Sequence, residues 1–334
     1  MASWVWAGGS KDYNDLTQTI RATARPLPTP PGSYLGVAWL TQDQLIFLYA
    51  DHPSAINKLA DYRLFRYTLG TDDWQRVGVP ESTTCAQAEY APIYRLPNGM
   101  LGFGYSCLVF LDQQKKQTQE LRYLYSWDVH TGAFYKVHQY TDDFINGPFT
   151  FAPNMAEYIV ENSIGAGFHN QLYRIGQGGQ LERLFPTYER VKTPGWSPDG
   201  QTIAFLGTES YTLEQPGGFL NWKQMGDRLL YPWDLYLMDA QSGTARIVRK
   251  GIEGNNWIPG WLPDSNVLIF RGRYQQMEGI WALNTQSQKL TRIWPSTAES
   301  YWSPNGKQMV VIQRVKEGDI ERTYPVIVDL PPLE

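Results

Sequence analysis

The sequence predicts an all-β chain: a ring of repeated, four-stranded antiparallel sheets. Three observations predict it. A figure of aromatic residue, tight turn and apolar strand recurs every few tens of residues, which is the mark of a repeat architecture. The 334 residues include 30 glycines and 22 prolines, which argue against long helices. Aromatic residues make up 14% of the chain, with 13 Trp and 21 Tyr, and these favour strands and packed sheet faces.

The figure is clearest at Gly195-Trp196-Ser197-Pro198-Asp199-Gly200, followed by Gln201-Thr202-Ile203-Ala204-Phe205-Leu206. Pro198 fixes φ near −65° and suits the second position of a turn. Asp199 and Gly200 tolerate the positions after it, the glycine with φ > 0. A strand therefore enters at Trp196, reverses, and leaves through Ile203-Ala204-Phe205 as an antiparallel hairpin. The figure returns at Trp261-Leu262-Pro263-Asp264-Ser265 before Val267-Leu268-Ile269-Phe270. It returns again at Trp302-Ser303-Pro304-Asn305-Gly306 before Met309-Val310-Val311-Ile312.

The elements follow in order. Residues 1–33 read as a leader, with Gln18 to Ala24 alternating enough for an edge strand. The leader ends in Pro26-Leu27-Pro28-Thr29-Pro30-Pro31-Gly32, a stiff extended segment. The first repeat spans 34–80, from Val37-Ala38-Trp39 through Leu45–Tyr49 and Tyr62–Tyr67 to Trp74–Val77. The second spans 82–140, with Tyr94–Gly99, Leu101–Tyr105, Tyr123–Asp128 and Phe134–Val137. The third spans 143–185, with Phe151–Met155, Tyr158–Val160, Leu172–Ile175 and Leu181–Leu184. The fourth spans 190–250 and carries a long insertion, Thr208 to Pro232, before Asp234–Asp239 and Ala245–Val248. The fifth spans 255–295 and the sixth 298–334.

Thr41, Pro97, Pro153, Pro198, Pro263 and Pro304 mark equivalent turns. The sixth repeat has three strands, and the leader holds one unassigned strand. Ring closure by the N-terminal strand resolves both, because closure leaves no break in the ring. The expectation is one domain over residues 1–334: a six-bladed β-propeller with repeats of about 55 residues.

At this point the residues resemble a family. Trp196–Leu206 with Leu235-Tyr236-Leu237-Met238-Asp239-x-x-Ser242-Gly243 is similar to the repeat of TolB-like six-bladed β-propellers. The likeness is specific there, good at Trp261–Asn284 and Trp302–Val311, and weak in the first three repeats. It covers residues 34–334. The same repeat occurs in periplasmic TolB, in propellers of prolyl-oligopeptidase-like and tricorn-type peptidases, and in some sugar lyases. The resemblance implies a fold and leaves function to the loops.

Composition and motifs exclude several chemistries. Net charge is −4 with acids and bases dispersed, so no basic run tracks a phosphate backbone and nucleic acid is not expected as a partner. No G-x-S-x-G elbow occurs, against a serine hydrolase. The four histidines, His52, His130, His138 and His169, form no H-x-x-x-H pair, so no local metal motif, no cofactor and no catalytic group is expected. A metal site built across blades from His52 and His169 is the minor alternative, against ordinary loop histidines. Asp199, Asp264 and Asn305 read as turn residues bonding their own backbone. Trp196, Trp261 and Trp302 read as packing between neighbouring blades. Cys85 and Cys107 are either one disulfide or two buried thiols.

No apolar run reaches the ~20 residues that span a bilayer. Met1-Ala2-Ser3-Trp4-Val5-Trp6 lacks the features of a signal peptide. Either the protein is cytoplasmic, or its start follows a removed signal or anchor and the setting is periplasmic or otherwise extracytoplasmic. The second reading is preferred, since Met1-Ala2-Ser3 and Leu333-Glu334 fit vector-derived ends.

Loops after second strands and loops between blades should share one face, opposite the Pro-Asp-Gly turns. That face gathers Phe168, His169, Tyr211, Trp222, Trp233, Trp257, Arg271, Arg273 and Tyr274 as candidate ligand-binding residues, with Phe219 and Tyr231 beside them. Aromatics with arginine are enriched at recognition hot spots. The bland alternative is that these aromatics only pack the insertion onto the ring. The expected function is non-enzymatic binding of a protein or peptide at the loop-rich face or channel mouth. The alternatives are a carbohydrate-binding or lyase-type propeller, and a structural subunit of a larger assembly.

Overall fold

The computed structural model describes residues 13–28, 33–50, 62–71, 73–77, 87–90, 94–112, 117–140, 149–164, 169–176, 180–185, 190–208, 233–317 and 320–333. Its strands form because apolar runs of four to eight residues are punctuated by turn residues, and each strand pairs with the next in sequence. The first sheet runs Ser33–Trp39, Gln44–Ala50, Tyr62–Thr68, Asp73–Val77, all antiparallel. The second places Gln87–Tyr90 and Tyr94–Arg95 on Leu101–Asp112, then Gln117–Asp128 and Ala133–Tyr140. The third runs Phe149–Phe151, Glu157–Ile164, His169–Gly176, Leu181–Leu184.

The fourth sheet has eight strands. Arg190–Trp196, Thr202–Thr208 and Trp233–Asp239 lead to Ala245–Trp261, a strand of 17 residues. That strand continues into pairing with Val267–Tyr274, and Met277–Asn284 and Leu290–Trp294 follow. The last sheet runs Glu299–Trp302, Gln308–Glu317, Ile320–Asp329. The arrangement is all-β and propeller-like.

Four inner strands buried along their length explain how the sheets pack. Leu45-Ile46-Phe47-Leu48, Ile203-Ala204-Phe205-Leu206, Val267-Leu268-Ile269-Phe270 and Met309-Val310-Val311-Ile312 are buried at every residue. Successive residues of a strand face opposite sides, so a run buried throughout is covered on both faces. Each such sheet is packed between two others. The cores mix residues accordingly: Val310, Ile312 and Ile327 of the last sheet join Val37, Leu45 and Phe47 of the first.

The turn figure is built as its chemistry dictates. The side-chain oxygens of Asn98, Asn154, Asp199, Asp264 and Asn305 each accept from the backbone N–H two residues on, at 2.9–3.0 Å. The next residue turns with positive φ in each case: Gly99, Met155, Gly200, Ser265 and Gly306. The aromatics of the figure tie distant strands together, within the fourth sheet and between sheets. Trp261 Nε1–H donates to the Gly195 carbonyl at 3.0 Å and Trp302 Nε1–H to the Trp261 carbonyl at 2.7 Å. Trp39 Nε1–H donates to the Tyr301 carbonyl at 2.9 Å, which joins the first sheet to the last.

The leader departs from its expected form. Gln18 to Ala24 is not an edge strand: Thr17–Arg21 is a short helix, and the chain between Ala22 and Ala24 is a turn. The reason is tertiary. Ile20 is fully buried among Leu262, Ile280, Ile293, Val311 and Val328, and one helical turn aims Leu16 and Ile20 at the same core. Short extended pieces flank the helix. Asn14–Asp15 lies parallel to Leu290–Trp294, and Arg25–Pro26 lies antiparallel to Ile320–Asp329.

Candidate functional site

The charged residues of the inner strands are the ones that meet. In the strand Arg190–Trp196 the register sets Arg190 opposite Thr208 and Lys192 opposite Leu206, at the end away from the Ser197–Gly200 turn. Arg271 lies past the middle of Val267–Tyr274, on the side away from its own turn at Pro263–Ser265. Glu161 lies past the middle of Glu157–Ile164, and Glu299 begins Glu299–Trp302. All five therefore occupy the same end of their sheets.

Interactions link them across sheets. Glu161 accepts the Thr193 backbone N–H at 2.8 Å, joining the third sheet to the fourth. The Trp233 ring lies under two cations, with Lys192 Nζ at 4.3 Å and the Arg190 guanidinium at 5.3 Å from its centroid. The hydroxyl of Tyr301 donates to Glu299 at 3.2 Å, and the backbone of Val37 in the first sheet hydrogen-bonds to that hydroxyl. Arg314 lies 4.0 Å from Glu299.

The electrostatics report this convergence. Burial pushes the Lys192 ammonium down to about 8; Glu161 opposes that, and the charges of Arg190 and Arg271 add to it. Burial also lowers Arg271, against the pull of Glu299 and Tyr301, with Arg314 adding to the fall. Burial, then the Glu299 charge, raises Tyr301. Lys192 thus feels a residue of the third sheet and one from beyond the long strand, and Arg271 feels the last sheet.

The expected site residues fall in three groups. Phe168, Tyr211 and Trp222 lie outside the described residues, as do Phe219, Tyr231, His52 and Cys85. His169, Trp257 and Cys107 are placed by backbone alone, opposite Ile164, Arg271 and Leu121. Trp233, Arg271, Arg273 and Tyr274 are described with their side chains. Trp233 is 6% and Tyr274 8% exposed, both in the core around Trp281, with the Tyr274 ring edge-on to Trp281 at 5.6 Å. Arg273 is paired across its hairpin with Glu278 at 3.1 Å, both at the surface. The structure therefore brings Trp233 and Arg271 to one locus with Arg190, Lys192 and Glu161, which strand patterning alone passed over. The signal was a charged pair, Arg190 and Lys192, opening an otherwise apolar inner strand.

Among the described residues no three His, Cys, Asp or Glu side chains gather as metal ligands. A groove of about 400 Å³ lies on the turn side, lined by Pro153, Glu157, Trp196, Asp199 and Gln241. Arg174 sits beside it, 3.4 Å from Glu157. The Asp199 carboxylate beside it is engaged by the Ser197 hydroxyl and the Gln201 backbone N–H, both within its own turn. No described helix is long and apolar enough to cross a membrane.

No protein-family profile matches the sequence. An uncharacterised protein of Agrobacterium fabrum is 23% identical over 170 residues, half of each chain. Among solved structures, TolB from Acinetobacter baumannii superposes with a TM-score of 0.54 at 13% identity, over 86% of this chain and 64% of that one. An oligogalacturonate lyase in complex with manganese gives 0.52 at 12% identity, over 92% and 93%. A gluconolactonase from Xanthomonas campestris gives 0.51 at 12% identity, over 92% and 89%. The chain thus spans about half the length of the curated relative and under two thirds of the TolB chain. With the meander sheets, the apolar inner strands and the tryptophan links, these likenesses establish the fold: the chain is a β-propeller, similar in fold to TolB.

Proposed function

We propose that the chain is one six-bladed propeller that binds a protein or peptide without catalysing a reaction. In this reading the 17-residue strand Ala245–Trp261 is where two four-stranded blades run together, so that five sheets make six blades. Arg25–Pro26 supplies the outer edge of the last blade and closes the ring. The blades span about 34–80, 82–140, 143–185, 190–250, 255–295 and 298–334, after a leader of 1–33. The ligand site is the mouth of the axial channel on the side opposite the turns. An extracytoplasmic setting goes with this reading, and fractionation of the native host checks it.

One observation carries the proposal. Glu161, Lys192, Arg271, Glu299 and Tyr301 come from four strands of three sheets and lie toward one end of the propeller. Burying charges there costs stability that an apolar contact would not. A scaffold with no other use for the locus gains nothing from it. Trp257, opposite Arg271 in the register, and His169, at the same end of its sheet, stay in the proposal as flanking residues.

Affinity capture from the native extract tests it. The wild type and a Tyr135→Ala variant of the exposed outer strand should recover the same partner, and Arg271→Gln should lose it. Loss with Tyr135→Ala but not with Arg271→Gln would overturn the reading in favour of a structural subunit docked by a blade edge.

A further inference from the structure

We propose that Asn98-Gly99 is a self-modification site, at which the asparagine side chain is converted through a cyclic imide to an aspartyl or isoaspartyl link. The proposal is independent of the binding face above. In an Asn-Gly pair the next backbone nitrogen reaches the side-chain amide most easily, because glycine brings no Cβ to obstruct it. The chain has three such pairs, at Asn98, Asn146 and Asn305, and Asn146 lies outside the described residues. Asn98 is exposed. Its Oδ1 accepts the Met100 backbone N–H at 3.0 Å, which folds the side chain back over the Gly99 peptide and polarises the amide carbon. Its Nδ2, the group that must leave, donates to the Met100 sulfur at 3.2 Å, a weak acceptor.

The step balances with water as its one co-reactant. Gly99 N bonds to Asn98 Cγ, the Cγ–Nδ2 bond breaks, and Nδ2 departs as ammonia with the Gly99 proton. Water then opens one of the two ring C–N bonds. Cleavage at Cγ gives aspartate, and cleavage at the main-chain carbonyl gives isoaspartate. Attack requires Gly99 to release its 2.9 Å N–H bond to the Leu96 carbonyl, so the turn must open first. Two comparisons favour that opening at Asn98 over Asn305. Tyr94–Arg95, before the first turn, pairs over two residues, whereas Glu299–Trp302, before the second, pairs over four. Among the described residues a Cβ on Gly99 would meet only Arg95 Nη2, at 3.9 Å, whereas one on Gly306 would meet Pro263 Cδ at 3.1 Å, so the second turn is packed against its neighbour. The Ser303 hydroxyl also donates to Asn305 Oδ1 at 2.8 Å and ties that side chain down further.

The two products act differently on the fold. Aspartate at 98 keeps the acceptor and matches the turns at Asp199 and Asp264. Isoaspartate adds one methylene to the main chain between Leu96 and Leu101, both buried. Leu96 packs against Phe151, Tyr158, Val160 and Ile175 of the third sheet, so isoaspartate loosens the second sheet from the third.

Peptide-mapping mass spectrometry of the full chain, aged in mildly alkaline buffer, tests the proposal, with isoaspartyl methyltransferase as the probe for the isoaspartyl product. In the folded protein Asn98 should convert about tenfold faster than Asn305. In urea the two should convert at similar rates, because the difference lies in the turns. Asn98→Gln should abolish the product at this position, and Asn98→Asp should unfold at the temperature of fresh wild type. Conversion of Asn305 as fast as Asn98 in the folded chain, or conversion of Asn98 in urea alone, overturns the site. An aged fraction rich in isoaspartate at 98 that unfolds at the temperature of fresh wild type overturns the loosening of the sheets.

Discussion

Gly306 and Gly279 show how single residues hold the architecture, for different reasons. Gly306 turns with φ of 70°, and a Cβ there would stand 3.1 Å from Pro263 Cδ. The backbone conformation and the contact both oppose a side chain. Gly306→Ala should cost about 1–2 kcal/mol, read by denaturant unfolding. Gly279 has an ordinary φ, but a Cβ would meet the Trp294 carbonyl at 2.7 Å and Arg292 Nε at 2.9 Å. The obstacle is backbone, so Gly279→Ala should cost about 2 kcal/mol or more. A smaller effect at Gly279 than at Gly306 would mean the strand yields more easily than this packing allows. At the same scale, Trp261→Phe keeps the ring and loses the 3.0 Å bond to Gly195. The expected cost is about 1 kcal/mol.

The N-terminal helix is the element whose role the fold defines most sharply. Asp15 accepts the Thr17 backbone N–H at 3.1 Å and the Thr17 hydroxyl at 2.7 Å. It also lies 3.4 Å from Arg292, whose side chain is 8% exposed. Burial works to raise the Asp15 carboxyl, but Thr17 and Arg292 together hold it below its ordinary value. The sign follows: a carboxyl lowered on folding contributes stability above its unfolded pKa and loses it as pH falls through its folded pKa. Asp15→Asn should therefore weaken the protein at neutral pH, and the gap to wild type should close in acid. Ile20→Ala should cost about 2–5 kcal/mol, since the side chain is fully enclosed.

This element also marks where the sequence could be read and where it could not. The turn figure was legible because its chemistry is local: Asp199 and Asn305 bond the N–H two residues away in any context. The helix was not, because Gln18–Ala24 alternates like a strand while the burial of Ile20 depends on four strands that lie more than 200 residues later. Lys192 illustrates the same limit at the site. Its position in an inner strand was plain, but its neighbours Glu161 and Arg271 are set by how sheets pack side by side. Trp233 and Tyr274 were read as loop-face residues, but their rings turn into the core because each begins or ends a strand buried on both faces.

At the scale of the whole molecule, sheets far apart in sequence must be held side by side. Two tryptophan links, Trp302 to Trp261 and Trp39 to Tyr301, and a shared core between the first and last sheets do this. The consequence is a group of charges at one end, with Lys192 enclosed by residues of different sheets. Its lowered pKa has a stability sign opposite to the usual lysine. The unfolded chain binds the proton up to the ordinary 10.5 and the folded chain only up to about 8, so stability rises with pH between those values. Lys192→Met should flatten that rise and should be the more stable protein below pH 8.

The most direct measurement is the titration of the Lys192 side chain itself, followed by NMR with carbon-13 at Cε and assigned by Lys192→Met. The arrangement described here predicts a midpoint near 8, moving upward when Arg271 is replaced by Gln. A midpoint at the ordinary 10.5, unmoved by Arg271→Gln, would contradict the meeting of the sheets at this end and with it the site.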